Sequence, residues 1–178
     1  MEKKEEKKRI VALKINDDFD FKFAKKMPKV LRWILVVPTG IVSLLLIQLS
    51  YGFIVNMLLK YFAETSVVMI IVNAIFSFIK FYIFLISMVA MAPVTAAKKF
   101  KTGVGLSIVP LSITGGIIIL AMILTPDYTY SVTEIISQIV AVVTVVLALV
   151  VGLVYIKMET NKEKDVIVEP DNVYEHDV

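Results

Sequence analysis

The sequence predicts an all-α, polytopic membrane protein: an antiparallel four-transmembrane-helix bundle with short cytoplasmic tails. Three observations predict it. Apolar stretches run over residues 30–59, 67–97, 104–124 and 132–156, and each reaches the ~20 residues needed to cross a hydrocarbon core. Of the 178 residues, 58% are hydrophobic and the mean hydropathy is +0.81, which leaves too little polar surface to coat a water-soluble globule. Lys and Arg gather in clusters that fall on one side of a membrane if consecutive spans alternate in direction.

Residues 1–28 form a basic N-terminal tail. Met1 to Arg9 carries no apolar side chain after the initiator and reads as solvated chain. Val11, Leu13 and Ile15 then alternate with other residues, Asn16-Asp17-Asp18 reads as a turn, and Phe19, Phe21 and Phe23 alternate again. Period two around a turn predicts a small β-hairpin. A lone hairpin is marginal in water, so it requires support from the membrane surface, the cytoplasmic face of the helices or a partner. Lys22, Lys25, Lys26 and Lys29 have two readings. They contact anionic headgroups beside the Phe rings, each contributing ~1 kcal/mol, or they only hold this flank in the cytoplasm. No signal peptide is expected, because the apolar run starts only near Val30 and no small-residue cleavage site follows a short core. The first span is expected to be an uncleaved signal-anchor.

The spans (residues 29–157 with their connections) each offer one contact face. Membrane helices associate by close backbone approach at small residues and by interhelical hydrogen bonds. Span one places Gln48, Gly52 and Asn56 at steps of four. Span two spaces Asn73, Ser77, Lys80, Phe84, Ser87 and Met91 by alternating fours and threes, which draws one stripe along a helix. Span three carries Ser112, Gly115 and Gly116 after Pro110. Proline lacks a ladder donor, so this span is expected to be the irregular one. Span four repeats the rhythm with Glu134, Gln138, Ala141, Val145, Ala148 and Gly152. Gln48, Asn73, Ser77, Lys80, Ser87, Glu134 and Gln138 are thus the candidate intramembrane polar face. Ser112, Gly115, Gly116, Ala148 and Gly152 are the candidate packing positions.

Basic residues crowd the first flank up to Arg32, return as Lys98, Lys99 and Lys101, and return again as Lys157, Lys162 and Lys164. The other two connections are poor in them. Both termini are therefore expected in the cytoplasm, with the cell membrane as the host. Trp33, Tyr61, Tyr128, Tyr130 and Tyr155 lie near span ends, where amphipathic rings favour the headgroup zone.

Lys80 is the sharpest residue. A charge at mid-bilayer costs ~2.5–3.5 kcal/mol on insertion scales. Glu134 is the only acid inside the four apolar stretches, yet it sits near the outer end of the fourth and differs in depth by over ~10 Å at the helical rise. Gln48 and Thr144 lie closer in depth. Lys80 either lines a path, pairs with an acid on another subunit, or is a structural lysine that snorkels along a tilted helix.

The acidic C-terminal tail, residues 158–178, holds Val166-Ile167-Val168 as its one apolar cluster. That cluster reads as a docking strand or as part of a disordered tail. His176, the single histidine, lies near its end. Cysteine is absent, and no catalytic motif or metal-ligand spacing occurs. The expectation is a non-enzymatic accessory, regulatory or scaffold subunit without cofactor or metal, acting through helix–helix assembly. Its expected partners are the lipid bilayer and either further copies of itself, as a homo-oligomer, or other membrane proteins. A pI near 9 arises from membrane-flanking lysines, so nucleic acid is not an expected partner. The alternative is a transporter or channel component with Lys80 lining an ion or substrate path.

Overall fold

The computed structural model describes residue 15 and residues 19–63, 66–124 and 131–166. The Glu/Lys run, Val11, Leu13, the Asn16-Asp17-Asp18 turn, Tyr128, Tyr130, Ile167-Val168 and His176 lie outside these residues. Among the described residues the fold is all-helical. A 3-10 turn, Ala24–Lys26, precedes α1 (Lys29–Leu58), α2 (Val67–Met91), α3 (Ala96–Leu106), α4 (Ile108–Leu124) and α5 (Val132–Val166). Four helices are long and apolar enough to cross a membrane: α1, α2, α5, and α3 with α4 taken together.

Local chemistry sets the boundaries. Ser66 caps α2, its Oγ accepting from the Met69 amide at 3.4 Å. At the other end Ala92 is extended, as a residue before proline prefers to be. Pro110 explains the division of the third span. Its ring clashes with the carbonyl four residues back, that of Leu106, where α3 stops. The lysines at 98, 99 and 101, expected in a connection, instead lie on the short helix α3.

Ser131 and Glu134 close the start of α5 as a reciprocal capping box. Glu134 Oε2 accepts from the Ser131 amide at 2.7 Å and from its hydroxyl at 2.8 Å. Ser131 Oγ accepts from the Glu134 amide at 3.3 Å. Ser131→Ala is expected to cost about 1 kcal/mol, read as a lowered midpoint of thermal unfolding in detergent. Glu134→Gln keeps an acceptor at that position and is expected to cost less.

Helix α2 is the hub. It packs against α1 and α5, while α3 sits against α5 and α2, and α4 makes the slightest contacts. The buried core gathers at one end, which also holds the N-terminal segment. It draws Val36 from α1, Phe84, Leu85, Met88 and Val89 from α2, and Val145, Ala148, Leu149 and Ile156 from α5. Close approach depends on glycine at three points. A Cβ on Gly40 would lie 2.6 Å from Phe84, one on Gly103 3.0 Å from Leu153, and one on Gly152 3.2 Å from Leu85. Leu85 thus faces Gly152, and Val89 and Ile156 both face Gly103, so α2 and α5 run in the same direction.

The candidate packing positions divide accordingly. Ala148 is fully buried and Gly152 meets α2. On α4, Ser112 is exposed, and a Cβ on Gly115 or Gly116 would meet nothing within 4 Å. The close contact of the third span runs through Gly103 instead. Toward the far end, large apolar side chains such as Leu49, Phe53, Ile123 and Ile136 are exposed, as lipid-facing side chains are.

Candidate functional site

Gln48, Asn73, Ser77 and Lys80 come together between α1 and α2. With Ile47, Tyr51 and Phe76 they line a recess of about 120 Å³. The 3–4 spacing on α2 supplies one wall. The other is one turn of α1, where Gln48 and Tyr51 are three apart. Tyr51 donates its hydroxyl to Asn73 Oδ1 at 2.7 Å, and its ring meets Phe76 edge-on at 5.3 Å. Lys80 Nζ reaches Gln48 Oε1 only at 3.4 Å and lies 5.5 Å from the centroid of the Phe81 ring. Both contacts are weak for an ammonium. Among the described residues, no carboxylate pairs with Lys80.

The other polar-face candidates lie elsewhere. Ser87 is buried further along α2, in the packed end. Gln138 is exposed on α5, and Glu134 is the cap described above. Counted from the Leu85–Gly152 contact, Glu134 and Lys80 differ in depth by about 20 Å. Tyr51 was not among the expected residues. Its place one helical turn from Gln48 was the available signal.

A second polar cluster lies at the packed end. Asp20 Oδ1 accepts from Arg32 Nη2 at 2.6 Å and from Lys99 Nζ at 2.6 Å. Both cations also close the end of α2. Arg32 donates from Nε to the Met91 carbonyl at 3.1 Å and from Nη2 to that of Ala92 at 3.2 Å. Lys99 donates to the carbonyls of Val89 at 2.9 Å and Ala92 at 2.7 Å. A helix C-terminus leaves carbonyls without intrahelical donors and carries about half a negative charge. The carboxylate and the helix end therefore both oppose the two buried positive charges. Lys99 has no exposed surface, and Asp20 and Arg32 are each 7% exposed.

The N-terminal segment delivers that carboxylate. Phe19 has φ of 59°, a left-handed backbone that bulky residues adopt at a cost of about 1–3 kcal/mol. Its fully buried ring, set edge-on to Tyr155 at 6.0 Å, holds it there. Phe21 donates its amide to the Ala90 carbonyl at 3.3 Å and forms an antiparallel bridge with Ile15. Phe21 and Phe23 stack at 5.4 Å and pack on the core. The three rings thus rest on protein. Lys22, Lys25, Lys26 and Lys29 are exposed around them.

Asp20 was not singled out from the sequence, and Arg32 and Lys99 read there only as topogenic charges. One signal was present: Lys99 shares a helical face with Gly103 and Leu106, which is an inward-facing pattern. No family model matches this chain, and no curated protein or solved structure matches it either.

Proposed function

We propose that this chain is a non-enzymatic accessory, regulatory or scaffold subunit of a membrane assembly, with both tails on the cytoplasmic side and consecutive spans alternating in direction. One observation carries the reading. Lys80 places an ammonium midway along a membrane-length helix, in a recess at the side of the α1–α2 pair, against a neutral amide. Ammonium facing acyl chains is costly, and a neighbouring subunit over the recess removes that cost. The open glycine face of α4 supports the same reading, since membrane helices meet at such faces. Cross-linking in the native membrane, followed by mild solubilisation, is expected to yield a complex larger than one chain. A lone monomer with no cross-linked neighbour would count decisively against it.

The recess also favours a second reading, a transporter or channel component. Lys80→Met separates the two. Lost flux with assembly intact supports transport, whereas unchanged flux removes Lys80 from a conduit.

A further inference from the structure

We infer that the recess between α1 and α2 is a receptor for one carboxylate, that of an Asp or Glu carried mid-span by a transmembrane helix of a different protein. The inference rests on the assembly reading and specifies the partner's chemistry. The lining is rich in donors. Gln48 Oε1 and Asn73 Oδ1 are taken up by Lys80 and Tyr51, so these two amides present their NH₂ groups. Lys80 adds an ammonium whose contact with Gln48 is long at 3.4 Å. An ammonium and amide donors lining one recess fit an anion with two acceptor oxygens. The Ile47 and Phe76 side chains beside them keep the local dielectric low, which strengthens such a pair.

Size and depth select the source of the anion. A recess of about 120 Å³ falls short of the ~300–1,000 Å³ of organic-ligand pockets, but it accommodates the end of one acidic side chain. From Lys80 to the end of α2 at Ala92 is about 18 Å along the helix, so a lipid phosphate at the surface is out of reach. A second copy of this chain does not supply the group either. The acids in its four candidate spans are Glu134 and Glu159, at opposite ends of the fourth. Each is about 20 Å from the depth of Lys80, counted from the Leu85–Gly152 contact. The remaining source is a foreign helix with its acid near mid-span. Neutralising two intramembrane charges against each other gives such a helix a defined depth and rotation on α1–α2.

The full chain in phosphatidylcholine vesicles tests this, labelled through one cysteine introduced into a tail. The probes are synthetic apolar transmembrane peptides with Asp, Asn or Leu at the centre, and one with Asp near an end. Association is read by energy transfer at pH 8. The central-Asp peptide is expected to bind at least tenfold more tightly than the other three. That preference is expected to vanish in Lys80→Met and to persist in Lys80→Arg. Equal binding of all four peptides by the wild-type chain would overturn the inference, without reliance on any variant. So would a preference that survives Lys80→Met, or acetate flux through vesicles carrying the chain alone. The two readings fail separately. Native cross-linked complexes with indifference to the Asp peptide would refute only the docking chemistry. Asp-peptide binding by a chain that is monomeric in its own membrane would refute only the assembly reading.

Discussion

Asp20→Asn is expected to destabilise the protein by about 3–5 kcal/mol, the cost of removing one partner from a buried ion pair. The substitution keeps the side chain's shape and deletes its charge. It leaves Arg32 and Lys99 buried side by side, with the α2 carbonyls as their remaining acceptors described above. Equilibrium unfolding of the detergent-solubilised protein measures the loss. Lys99→Met supplies the second arm of a double-mutant cycle, since Met fills much of the lysine stem's volume without a charge. The double variant is expected to be less destabilised than the sum of the two single variants by over ~1 kcal/mol, because the groups are in direct contact. Strict additivity would mean that Asp20 does not offset the charge of Lys99.

Gly40→Leu is expected to prise α1 from α2. Even the first carbon of a side chain would lie 2.6 Å from Phe84 Cε2 and 2.7 Å from Met88 Cγ. Phe84 and Met88 are both fully buried, so relieving the clash requires the packed core around them to shift. Gly40→Ala is expected to cost about 1–3 kcal/mol by overpacking, and Leu more. Gly52→Leu is the control, because a Cβ there meets nothing within 4 Å. A thermal scan of the three variants distinguishes a specific clash from a general intolerance of α1 to larger residues. Loss of the recess is a second readout, since Gln48 and Tyr51 lie on the same helix as Gly40.

Much of this architecture is legible in the sequence, and the exceptions have physical causes. Length and hydropathy alone fix the four apolar helices. The stripe through Asn73, Ser77 and Lys80 is legible because polar residues are sparse in such helices and their period shows. The break in the third span follows from Pro110. The fate of the basic flanks is hidden, because topogenesis places Lys and Arg at span ends whether or not any is later buried. Arg32 and Lys99 are buried, and their neighbours Lys29, Lys98 and Lys101 are exposed. Asp20 is concealed between two phenylalanines, where alternation predicts only that it points away from the rings. The small-residue motifs at Ser112–Gly116 and Ala148–Gly152 are alike as strings. Only the tertiary arrangement decides that the second meets α2 and the first does not.

The pairing of Asp20 with Lys99 spans 79 residues of sequence, and this sets a clock on biogenesis. An aspartate that leaves the ribosome before the first span cannot find its lysine until two spans have followed. At about 5–20 residues per second, that wait is roughly 4–16 s. Until then, of the two cations that Asp20 meets, only Arg32, 12 residues on, has been made. Pairing of Asp20 with Lys99 then marks the arrival of the first turn of the third span, which begins at Ala96.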